Sequence, residues 1–75
     1  MANRVVRFIY PPSRVNEPIL YQLVRKFDIV TNLRKADVNS NGGVLELGLR
    51  GDDQLINQAL DWVRQLGIEV EELPR

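Results

Sequence analysis

Neither histidine nor cysteine occurs among the 75 residues. Without histidine the commonest general acid–base group near neutral pH is missing. Without cysteine there is no disulfide framework, no thiol redox chemistry and no sulfur ligand for zinc or an iron–sulfur cluster. The remaining nucleophiles are Ser13, Ser40, Thr31, Tyr10, Tyr21 and the lysines, and none has a clear base beside it. A phosphate-cradling loop after the first strand would need backbone amides, which Pro11-Pro12 removes. Gly42-Gly43 is followed by neither Lys-Ser nor Lys-Thr and opens no helix, so it reads as a turn. Glu69, Glu71 and Glu72 lie on one short run, whereas a calcium site needs six or more oxygens on a shaped loop. These residues describe a binding or regulatory module rather than an enzyme, and no cofactor is expected.

Asn32 falls in the extended run that precedes the hairpin. Its amide offers donors and acceptors together, so it can satisfy both ends of a zwitterion without a fixed charge. Asn is otherwise depleted in strands, where it marks a bulge or an edge facing water. Arg34 and Lys35 could hold an anion, but paired cations on an edge strand more commonly discourage edge-to-edge aggregation.

The elements that must position these residues follow from periodicity. Asn3 to Tyr10 alternates Val6, Phe8 and Tyr10 with Val5, Arg7 and Ile9 and predicts a strand, which Pro11-Pro12 stops. Asn16-Glu17-Pro18 reads as a helix start, with Asn16 capping, and the helix runs to about Phe27. Its apolar stripe is Ile19, Leu20, Leu23, Val24 and Phe27. Ile29 to Asn39 is extended, Asn41-Gly42-Gly43 supplies a hairpin reversal, and Val44 to Arg50 points Leu45, Leu47 and Leu49 inward. Gly51-Asp52-Asp53 caps a second helix with a stripe of Ile56, Ala59, Leu60 and Val63, flanked by Leu55, Trp62 and Leu66. Gly67 ends it, and Ile68 to Leu73 forms a last strand.

The order is βαββαβ, an α+β ferredoxin-like (ACT-like) fold in one domain over residues 1–75, with a four-stranded antiparallel sheet and two helices on one face. The second and fourth strands form its edges and the other face stays open. A domain of this size buries only about 60% of its unfolded surface, so self-association is expected to help it.

In order and spacing the chain resembles the NIL domain, the small C-terminal regulatory domain of methionine-importing ABC transporter ATPases, and a free-standing member is expected. The resemblance rests on Phe8-Ile9-Tyr10-Pro11, Asn16-Glu17-Pro18-Ile19-Leu20, Phe27 and Asn32-Leu33 at the namesake position. Leu45-Glu46-Leu47-Gly48-Leu49-Arg50-Gly51, Ala59-Leu60-Asp61-Trp62 and Gly67-Ile68-Glu69-Val70-Glu71 complete it. The namesake Asn-Ile-Leu reads Asn32-Leu33-Arg34 here. The resemblance implies a dimeric sensor of methionine or a related amino acid, its ligand held by Asn32 and by Leu33, Val38 and Leu45 at the apolar end of the pocket.

Charge and hydropathy narrow the partners. Ten basic and ten acidic residues cancel, which disfavours nucleic acid and anionic lipid. The outward positions Val44, Glu46, Gly48 and Arg50 offer no aromatic platform for stacking bases. No apolar run approaches the roughly 20 residues of a membrane span, and a cytoplasmic location is expected. Beside the small-molecule sensor stands one alternative, a module that docks a metabolic or ferredoxin-like protein through the open sheet face or an edge strand. In that case Arg7, Ile9, Leu33 and Val44 would carry the contact.

Overall fold

The computed structural model describes residues 1–74. Strand β1 (Ala2–Tyr10) leads through a 3₁₀ turn (Pro12–Arg14) to helix α1 (Ile19–Lys26). Strands β2 (Val30–Asn39) and β3 (Gly42–Gly51) form a hairpin, and helix α2 (Asp53–Gln65) leads to β4 (Glu69–Leu73). The sheet order is β2-β3-β1-β4, with every neighbouring pair antiparallel. This is the ferredoxin-like α+β fold, with β2 and β4 at the edges.

Alternation sorts the side chains of β1. Val6, Phe8 and Tyr10 are buried in one cluster with Leu47 and Leu49 of β3, Ile19 and Leu23 of α1, and Ile56, Ala59, Leu60 and Val63 of α2. Both helices therefore cover one sheet face, because each contributes its apolar stripe to the same core. Val5, Arg7 and Ile9 point the other way, onto the open face.

Helix α2 begins as its sequence dictates. The Asp52 carboxylate accepts from the backbone N–H of Gln54 at 2.9 Å and of Leu55 at 3.3 Å, satisfying two otherwise unpaired amides. Helix α1 starts later than Asn16 suggests. The chain first makes the 3₁₀ turn, Glu17 is drawn back to Arg14 by an ion pair at 2.7 Å, and Pro18 rather than Asn16 stands at the helix boundary, with no side-chain cap. The stripe of α1 is also narrower than its spacing implies, because Val24 is exposed. Trp62 is half-buried and meets Phe27 edge-on, with ring centroids 6.0 Å apart. That contact joins the end of α1 to α2.

The hairpin reverses at Ser40-Asn41, where the Asn41 N–H donates to the Asn39 side chain at 2.8 Å. The glycines expected in the turn lie within β3. Gly42 has a φ of 136°, and a Cβ there would sit 2.9 Å from the Tyr10 carbonyl oxygen. Glycine is thus required by both backbone conformation and a close strand approach.

The ladder between β2 and β3 carries one irregularity that decides which way the site faces. From the turn, Asn39 pairs with Gly42, Val38 with Gly43, Asp37 with Val44, Ala36 with Leu45 and Lys35 with Glu46. Beyond a shift between Leu33 and Lys35, Leu33 pairs with Leu47, Asn32 with Gly48 and Val30 with Arg50. Arg34 is the extra residue of a β-bulge. Had the first register continued, Leu33 would have faced Gly48 on the open side and Asn32 would have faced Leu49. The bulge exchanges them and puts Asn32 on the open face.

Candidate ligand site

Asn32 lies on exposed edge strand β2, opposite a residue with no side chain. Around Gly48 the open face sinks into a hollow of about 430 Å³, with Asn3, Val5, Val30, Asn32 and Arg50 around it. The pairings explain it. Val5 and Asn32 flank Gly48 on the two neighbouring strands, and Asn3 and Val30 flank Arg50 in the same way. Adjacent positions on one sheet face are close enough for their side chains to act together.

The other three sequence candidates lie on the opposite side. Leu33 pairs with buried Leu47 and is half exposed, while Val38 pairs with Gly43 and is also about half exposed. Leu45 sits between Ala36 and Phe8 in the sheet and packs against the core. Within one chain, therefore, the sheet separates Asn32 from Leu33, Val38 and Leu45. Leu33 likewise leaves the open-face set that Arg7, Ile9 and Val44 form.

Electrostatics differ across the open face. Arg7 lies 3.4 Å from Glu46 and 3.2 Å from Glu71, a cross-strand ladder over β3, β1 and β4. A second hollow of about 380 Å³ borders it, lined by Arg7, Lys35, Ala36, Asp37, Val44 and Glu46. On the helix side Arg4 binds Asp53 at 2.8 Å, Asn57 at 2.7 Å and Glu72, tying β1 to α2 and β4. Its hydrogen bond to Glu72 raises the Arg4 guanidinium above its ordinary pKa, against the opposing effect of burial. Glu71 and Glu72 thus serve arginines of the fold. Burial pushes the Tyr10 phenol up to about 12, because the charged form has lost its water.

The family resemblance pointed to Asn32 but did not place Asn3, Val5, Val30 and Arg50 with it. Gly48 was the available signal, since a glycine inside a strand often marks a place where something approaches the backbone.

The chain is thus a ferredoxin-like domain whose open sheet face carries a hollow bordered by two amide side chains. The family itself is shown by sequence: a family model of the NIL domain matches residues 4–72, and the chain belongs to that family. An uncharacterised protein of Synechocystis sp., ssr2439, is 37% identical over 62 residues, covering 80% of this chain. The chain spans 64% of that relative's length. Among solved structures, the C-terminal domain of an ABC transporter ATP-binding protein from Enterococcus faecalis superposes with a TM-score of 0.82 at 22% identity. That alignment covers 96% of this chain and 84% of the other. A de novo designed protein, Ferredog-Diesel, reaches 0.58 at 13% identity, covering 97% and 85%. At these identities both likenesses speak to the fold.

Proposed function

We propose that this NIL domain is a regulatory module that binds a small amino acid, methionine or a close relative, and works as a homodimer. The observation that carries the reading is the placement of Asn32, the namesake residue of the family, beside a hollow on the uncovered sheet face. Asn32 supplies the polar contact. Leu33 and Val38, exposed along the rim of β2, are apolar surface that a second copy would cover, with Leu45 packed one strand further in.

Dimerisation through β2 is favoured over β4 by length and charge. Strand β2 has ten residues, nearly all exposed, whereas β4 has five, three of them glutamate. Pairing β4 with its own copy would set glutamates against glutamates. Antiparallel pairing of β2 about Ala36 sets Lys35 opposite Asp37 twice.

A thermal-shift series with L-methionine and other amino acids, with molar mass measured by light scattering, tests the reading. The melting temperature is expected to rise with ligand concentration, because a ligand bound only to the folded state stabilises it by RT ln(1 + [L]/Kd). Asn32→Ala should abolish the rise, and Asp37→Lys should shift the mass toward a monomer. No shift with any amino acid at millimolar concentration would overturn the sensor reading.

A further inference from the structure

We infer that the hollow over Gly48 is a carboxylate-binding subsite, in which Arg50 takes the acid group of a small apolar amino acid. The inference rests on the sensor reading above and names the chemistry that the same hollow recognises.

Arg50 differs from the arginines that hold the fold together. Arg4, Arg7, Arg14 and Arg64 each pair with a carboxylate of the chain. Among the described residues Arg25, Arg34 and Arg50 pair with none, and of these three only Arg50 borders the hollow, on the same sheet face as the Arg7 ladder. The carboxylate nearest to it along β3 on that face, Glu46, is already held by Arg7 at 3.4 Å. A guanidinium presents a planar fork that matches a carboxylate in two parallel hydrogen bonds. The neighbours suit the rest of an amino acid. Asn3 stands directly across from Arg50 and Asn32 lies one position further along on the other side, so amide oxygens are available for an ammonium group. Val5 and Val30 provide apolar walls, and Gly48 leaves the floor empty.

The floor also provides a control that spares the fold. A Cβ at Gly48 would lie 3.9 Å from Asn32 Cβ, an ordinary contact, and nothing closer is met. Gly48→Val therefore fills the hollow with a residue that favours strands.

Calorimetric titration of the full chain with L-methionine and with L-methioninol, which keeps the ammonium and side chain but lacks the acid, tests the assignment. Native protein is expected to bind L-methionine roughly 10- to 100-fold more tightly than L-methioninol, the size of a charge-assisted interaction. Arg50→Gln should erase that preference, while Gly48→Val should lose both ligands with an unchanged or higher melting temperature. If the native protein and Arg50→Gln bind the two ligands alike, the subsite is overturned while the sensor reading stands. If native protein binds neither these nor leucine nor phenylalanine at millimolar concentration, both fall together.

Discussion

The two edges of the sheet are built in opposite ways. Strand β4 is short, lies beside central strand β1, and is tied down by Arg4 to Glu72 and by Arg7 to Glu71. Strand β2 is twice as long, exposed along nearly its whole length and bulged at Arg34. Its face opposite the helices holds the hollow with Asn32. The difference teaches that packing and free surface are divided across the molecule. The central strands β1 and β3, under both helices, supply the packing, and the outer strand β2 supplies exposed surface.

The division is broken most directly by comparing two leucines that face each other in the ladder. Leu47 is wholly buried and Leu33 half exposed. Leu47→Ala should cost about 2–5 kcal/mol, a large part of the stability of so small a domain, and Leu33→Ala no more than about 1 kcal/mol. Urea midpoints for the two variants measure the contrast; equal losses would show that the outer strand β2 is as much core as β3.

Tyr10 is paired with Gly43 close to the turn of the hairpin. Its folded-state pKa is raised to about 12 by burial, against an ordinary value near 10 in the unfolded chain. The stability it lends is complete below about pH 10 and is lost as pH rises from about 10 to about 12, by about 2–3 kcal/mol in all. Denaturation midpoints across that range should fall in native protein and stay flatter in Tyr10→Phe. An equal fall in both would remove Tyr10 as the cause.

A smaller effect sharpens the contrast between the edges. Arg4→Met breaks the clasp on β4 and should cost about 1 kcal/mol, less at high salt. Arg34→Met, at the bulge on the free edge, should change stability by less than about 0.5 kcal/mol. Midpoints at low and high ionic strength test the pair.

The sequence makes the inner half of this fold legible and the outer half much less so. Val6, Phe8 and Tyr10 announce their face by alternation, and Ile56, Ala59, Leu60 and Val63 announce the buried stripe of α2, because each pattern is local. The hollow is not local. It requires Asn32 of β2, Gly48 and Arg50 of β3, and Asn3 and Val5 of β1 to come into one register, and a single extra residue at Arg34 decides whether Asn32 or Leu33 faces it. No periodicity in Val30–Asn39 marks that bulge, since neither face of the strand is strongly buried. The start of α1 misleads for a related reason. Asn16 has the chemistry of a cap, but Pro11-Pro12 and the Arg14–Glu17 pair commit the chain to a tighter turn first.

The claim that most needs a direct reading is that the hollow on the open face receives an amino acid. A titration of isotopically labelled protein with L-methionine, followed at every backbone amide by NMR, gives it. The account predicts saturable shifts concentrated at Asn3, Val5, Val30 to Asn32 and Gly48 to Arg50, absent in Asn32→Ala. Saturable shifts centred on β4 or α2, or no shifts at millimolar ligand, would contradict it.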